Sequence, residues 1–139
     1  MTSAVPVDAN ALVSAMSVRD PHHREVLEVL SNSRYAFVVP VLCVAEATYL
    51  INQRMGPHFE AQFLAGLAAF EVIAPEPDDW ARIAELVRQY ADFPIGGTDA
   101  SIVALAERLN SDTILTLDRR HFGAIRPRHC AAFRLLPDL

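Results

Sequence analysis

Polar and apolar positions along this chain follow two rhythms: short continuous apolar runs, and longer stretches in which apolar residues return at helical spacing. Val5 to Asp8 reads as a first strand, although Pro6 has no N–H to give a neighbour if that strand is central. A short helix is expected over Asn10 to Met16. Pro21 opens a second, whose apolar side is Val26, Leu27, Val29 and Leu30. Tyr35 to Val39 reads as a second strand ended by Pro40, Val41 to Met55 and Pro57 to Ala69 as helices, and Phe70 to Ala74 as a third strand. Pro77-Asp78-Asp79-Trp80 is an acidic helix start, running to Tyr90. Thr98 is expected to N-cap a helix reaching Asn110, followed by strands over Thr113 to Leu117 and Ala132 to Leu136. Strands alternating with helices predict the α/β class: a mostly parallel sheet of about five strands, covered on both faces. No repeat, low-complexity tract or linker is visible, so a single domain is expected over residues 1–139.

Four acids break this apolar pattern. Asp8 is the only charged residue before Arg19, Glu46 stands alone between Arg34 and Arg54, and Asp99 stands alone between Asp92 and Glu107. Asp118 follows the run Ile114-Leu115-Thr116-Leu117. Leu42, Glu46, Tyr49 and Leu50 fall at i, i+4, i+7 and i+8, which puts Glu46 on an inward-facing helix stripe. Asp99 falls in the first turn of its helix, where exposed N–H groups favour the ionised form. Asp8 and Asp118 end two strands, where open α/β sheets place their ligands. Taken singly, each has a structural explanation as an N-cap, a turn residue or the partner of an arginine. Together they read as one site, because an ionised carboxylate in apolar surroundings is costly unless a cation offsets it.

Composition narrows the chemistry. Apolar residues make up 52%, and the longest apolar run is broken by Pro40 and Glu46, so a globular protein with no membrane-spanning segment is expected. With no secretory signal visible, a cytoplasmic location is expected. Cys43 and Cys130 lack zinc-type spacing and read as core thiols. All 12 basic residues are arginine, which removes the Walker A loop and lysine Schiff-base chemistry. The net charge of −5 does not exclude a phosphate-bearing substrate. Setting four site acids aside from the 17 leaves 13 against 12 arginines, and two divalent ions would bring the total to about −1. After residue 117, Arg119, Arg120, Arg126, Arg128 and Arg134 face only Asp118 and Asp138.

Carboxylates clustered without His or Cys partners select hard cations, Mg²⁺ or Mn²⁺, and suit metal-assisted phosphodiester hydrolysis. His121 and His129, eight residues apart, and the adjacent His22 and His23 read as surface or substrate-contacting groups rather than metal ligands. Phe63, Phe70, Trp80 and Tyr90 read as core packing rather than a base-stacking platform.

The stretch Tyr90-Ala91-Asp92-Phe93-Pro94-Ile95, the helix Thr98-Asp99-Ala100-Ser101-Ile102-Val103-Ala104-Leu105-Ala106-Glu107-Arg108-Leu109 and the segment Ile114-Leu115-Thr116-Leu117-Asp118-Arg119-Arg120-His121-Phe122 resemble a PIN-domain protein of the VapC toxin family. Val7-Asp8-Ala9-Asn10-Ala11-Leu12 and Ala45-Glu46 add to the likeness, which spans Val5 to Leu136. The resemblance implies a three-layer α/β/α sandwich and a metal-dependent endoribonuclease, the toxin of a type II toxin–antitoxin pair. It implies Asp8, Glu46, Asp99 and Asp118 as catalytic residues, with Asp8, Asp99 and Asp118 holding Mg²⁺ or Mn²⁺. Thr116 matches a supporting hydroxyl position, and Asn10 stands where Ser or Thr is common in the family. Homodimers, RNA as substrate and a cognate VapB-type antitoxin are the partners it implies. Arg119, Arg120 and His121, directly after the last acid, are the candidates for RNA-phosphate contacts.

Three rivals remain at this level. A catalytically silent PIN fold acting as a binding or regulatory protein would carry the same acids. A phosphoacceptor receiver domain would need a late lysine and paired acids near the first strand, and neither is present. A haloacid-dehalogenase-like phosphatase would need a second aspartate where Asn10 stands.

Overall fold

Pro6 decides how the centre of the sheet is joined. The computed structural model describes residues 3–138; of the domain expected over 1–139, residues 1, 2 and 139 lie outside the described residues. Strands β1 (Ser3–Pro6), β2 (Tyr35–Pro40) and β3 (Glu71–Ile73) form one parallel ladder in the order β1-β2-β3, and β4 (Thr113–Leu115) pairs in parallel with β5 (Arg134–Leu136). Among the described residues a single parallel bridge, Val7 to Leu115, joins the two ladders into the order β3-β2-β1-β4-β5. Val7 N–H donates to Val38 on the β2 side at 3.0 Å, and Asp8 N–H donates to Leu115 on the β4 side at 2.9 Å. Backbone donors alternate sides along a strand, so the donor that Pro6 lacks falls on the β4 side. The Ala4 carbonyl on that side is met instead by the Ser111 hydroxyl at 2.5 Å. The expected strand Val5 to Asp8 is therefore shifted: Val7 is a lone bridge, and Asp8 already belongs to the next helix.

Helices fill the crossovers. α1 (Ala9–Met16) and α2 (His23–Leu30) link β1 to β2, while α3 (Val41–Met55), α4 (Pro57–Gly66) and a 3₁₀ turn (Leu67–Ala69) link β2 to β3. α5 (Pro77–Gln89) and α6 (Gly96–Arg108) return the chain across the sheet to β4, and α7 (Arg119–Ala124) precedes β5. α1 packs on α2 and α3, α3 packs on α4, and α5 packs on α6; with parallel connections of the usual right hand, the two groups cover opposite faces, the three-layer arrangement expected. The core under these layers includes Val5, Val7, Val39, Ile51, Ile102, Val103, Ile114 and Leu115. No helix among the described residues is long and apolar enough to cross a membrane.

Three further expectations are corrected. Thr98 is not an N-cap: α6 begins at Gly96, whose φ of +70° turns the chain into the helix straight after Ile95, and the Thr98 carbonyl instead accepts from the Ser101 hydroxyl at 2.6 Å. Trp80 is 51% exposed, because α5 buries Asp79, Ile83 and Leu86, and Trp80 stands one residue off that row. Cys43 is a core thiol as expected, but Cys130 is only half-buried.

Candidate metal centre

The order reversal in the sheet lies between β1 and β4, and the four singled-out acids gather around the carboxyl ends of those two strands. Asp8 follows β1 with no intervening loop and caps α1, its Oδ1 accepting the Ala9 N–H at 2.7 Å. Asp118 caps α7 just past β4, its Oδ1 accepting the His121 N–H at 2.9 Å. Thr116 ties the two together. Its hydroxyl donates to Asp8 Oδ2 at 2.7 Å and accepts the Asp118 N–H at 2.9 Å. Asn10 Oδ1 accepts the Leu117 N–H at 3.0 Å, a second fastening of the β4–α7 turn to the start of α1.

Two carboxylates are buried among the described residues, and their surroundings differ in kind. Asp79 is met by the Arg108 guanidinium at 2.9 Å and by the Glu76 N–H at 2.8 Å. Asp8, 4% exposed, has a hydroxyl and a backbone donor but forms no ion pair among the described residues. Burial pushes its carboxyl up to about 7, against the pull of the Thr116 hydroxyl and the Ala9 N–H, and the charges of Asp99 and Glu46 push the same way. Burial likewise lifts Asp99 to about 6, opposed by His121 and reinforced by Asp118 and Glu46. The Cys43 thiol beneath them is also pushed up, by burial first and then by Asp8, which leaves it a packing group.

Glu46 does not lie on an inward stripe. The buried row of α3 is Cys43, Ala47 and Ile51, and Glu46 is exposed, as is Tyr49. One residue is a rotation of about 100° on a helix, enough to move this carboxylate from the core to the rim. Its charge still raises both Asp8 and Asp99, so it borders the cluster from the solvent side.

His121 is inside the cluster, where the sequence had pointed to the surface or a substrate. Its Nδ1 stands 3.0 Å from Asp99 Oδ2 and 2.9 Å from Asp118 Oδ2. One donor atom from each of these three residues lies within 4.8 Å of the others, a grouping that could hold a metal ion. The ring of Phe93, in the turn before α6, packs edge-on against His121 with centroids 5.2 Å apart and an interplanar angle of 89°. Arg120 lays its guanidinium 5.1 Å from the centre of the same Phe93 ring. Arg119 is engaged elsewhere, donating to the Pro137 carbonyl. The available signal for His121 was its place three residues after Asp118 at a helix start, which turns its side chain back over the cap.

The donor set is carboxylate-rich and held partly out of water, with a buried acid that lacks a basic partner among the described residues. Such a set fits a divalent cation. Residues 5–126 match the family model of the PIN domain. Ribonuclease VapC26 of Mycobacterium tuberculosis is 38% identical over 133 residues, covering 94% of this chain and 98% of the relative. Among solved structures, VapC20 of Mycobacterium tuberculosis, described as a sarcin-ricin loop cleaving toxin, superposes with a TM-score of 0.74 at 14% identity, covering 79% of this chain and 86% of that one. VapBC2 from Rickettsia felis, bound to a DNA fragment from its promoter, gives 0.70 at 18% identity, covering 95% and 98%.

Proposed function

The chain belongs to the PIN domain family, and from that premise we propose that it is a metal-dependent endoribonuclease, the toxin of a type II toxin–antitoxin pair. The observation that carries this is Asp8: a buried carboxylate with no basic partner among the described residues, raised by the charges of Asp99 and Glu46 and tied through Thr116 to Asp118. Asp8, Asp99 and Asp118 would hold Mg²⁺ or Mn²⁺. A divalent ion there supplies a Lewis acid that eases deprotonation of the attacking water and offsets charge developing on the phosphate oxygens.

The chain's own groups do the rest. Thr116 and the Ala9 N–H hold both Asp8 oxygens in fixed directions, so this carboxylate meets an ion without reorganising. Asn10 and Thr116 fix the turn that presents Asp118. Glu46, on the exposed rim of α3, would orient the attacking water and accept its proton, a role its effect on the charges of Asp8 and Asp99 supports. Arg120, held on Phe93 next to the acids, contacts a phosphate of the RNA strand.

The 38% identical relative is named a ribonuclease, which supports RNA as the substrate. Structural neighbours solved as VapBC complexes support a cognate VapB-type antitoxin. The deciding experiment is cleavage of RNA by the purified chain with Mg²⁺ or Mn²⁺, with and without a chelator. Cleavage that requires the metal and is abolished in Asp99→Asn, with folding intact, is expected. Full activity of that variant, or activity insensitive to chelation, would overturn the reading.

A further inference from the structure

We propose that His121 is itself a metal ligand, and that its Nδ1, with the carboxylates of Asp99 and Asp118, makes this site select Mn²⁺ and other borderline d-block ions over Mg²⁺. The inference rests on the metal-dependent reading above and deepens it. The Asp118 cap accepts the His121 backbone N–H at 2.9 Å, which fixes the start of that residue relative to the carboxylate. The side chain then folds back, so that Nδ1 lies 2.9 Å from Asp118 Oδ2 and 3.0 Å from Asp99 Oδ2, which belongs to a different helix.

A single ring nitrogen carries at most one hydrogen, and Asp99 Oδ2 meets it with hydrogen-bond geometry while Asp118 Oδ2, at 2.9 Å, does not. Two carboxylates converging on one imidazole nitrogen are thus under-provided by hydrogen bonding. An ion taking the place of that hydrogen would be met by two oxygens and the nitrogen lone pair together. The edge-on contact with Phe93 keeps the ring from swinging away from the acids. The donor set then contains nitrogen as well as oxygen. Mg²⁺ prefers oxygen alone and keeps its waters, whereas imidazole suits the first-row transition ions, with Mn²⁺ at the weak end of that series.

Nitrogen ligation is read directly by pulsed electron paramagnetic resonance on the full chain loaded with Mn²⁺. Wild-type protein is expected to give ¹⁴N modulation, replaced by the ¹⁵N pattern when only its histidines are ¹⁵N-labelled. His121→Asn is expected to lose the histidine modulation and to weaken Mn²⁺ binding by roughly tenfold, with a smaller change for Mg²⁺ in calorimetry. The isotope comparison needs no substitution, so a variant that folds poorly does not remove the test. Bound Mn²⁺ without histidine modulation overturns ligation by His121 and leaves the metal-dependent reading standing. Absence of binding by either ion overturns both.

Discussion

Thr116 and Asp8, 108 positions apart in the chain, are joined by a 2.7 Å hydrogen bond in which the fully buried hydroxyl donates to Oδ2. The same hydroxyl accepts from Asp118 N–H, so one side chain sets the spacing of two acids. Thr116→Val keeps the shape but strands a buried carboxylate oxygen and a backbone donor. A loss of about 1–3 kcal/mol in unfolding free energy is expected, together with weaker metal binding. Thr116→Ser keeps the hydroxyl and should recover most of both. Denaturant unfolding and calorimetry on the two variants measure this, and equal behaviour of Val and Ser at this position would refute the role.

The raised carboxyls give the chelated protein an unusual pH profile. Asp8 titrates near 7 in the fold against an ordinary aspartate value of 3.8, and Asp99 near 6 against the same 3.8. Between those limits the folded state holds more protons than the unfolded chain, so these two groups make stability fall as pH rises from about 4 to about 7. Above that window the full cost of ionising buried carboxylates is present. Asp8→Asn removes its share and should stabilise the chelated protein at pH 8 by as much as about 4 kcal/mol while abolishing metal-dependent cleavage. Thermal unfolding from pH 4 to 8, wild type against variant, checks the sign. A variant no more stable than wild type at pH 8 would contradict it.

Much of this fold was legible because its signals are local. The helix Val41–Met55 is preceded by Pro40 and followed by Gly56 at φ +87°, and both ends fall where the sequence put them. The position of Glu46 was not legible for a physical reason. Its helix carries two adjacent rows, and the larger residues Leu42, Tyr49 and Leu50 outweigh the buried Cys43, Ala47 and Ile51 in any reading by side-chain hydrophobicity. Small residues carry little pattern but pack closest to the sheet. The place of His121 depends on Asp99 approaching from another helix, 22 positions away, which no local spacing encodes. Asp8 could be singled out from its apolar neighbours, but the missing Pro6 donor that leaves Val7 as the one bridge to β4 among the described residues appears only once the strand order is known.

The exposure of Glu46 separates its two kinds of effect. A surface carboxylate with no ion pair among the described residues contributes little to stability, so Glu46→Gln should shift unfolding by no more than about 0.5 kcal/mol. If it handles the proton of the attacking water, the same variant should lose cleavage by roughly 100-fold or more. Single-turnover cleavage beside denaturant unfolding measures both. Retained cleavage would assign the rim of α3 to substrate or partner contact instead.

Arg119 and Arg120 are neighbours with opposite commitments, and their substitution should divide accordingly. Arg119 spends its guanidinium on the Pro137 carbonyl, so Arg119→Ala should lower stability with little change in the salt dependence of RNA binding. Arg120 rests on Phe93 beside the acids and retains donors for a phosphate oxygen. Arg120→Ala should weaken RNA binding at low salt and reduce the magnitude of the slope of log affinity against log salt by up to about one, as expected for one lost phosphate contact. RNA binding measured across a salt series, in Ca²⁺ to suppress cleavage, distinguishes the two. A reduced slope for Arg119→Ala and an unchanged one for Arg120→Ala would reverse the assignment and move the RNA path toward the C-terminal strand.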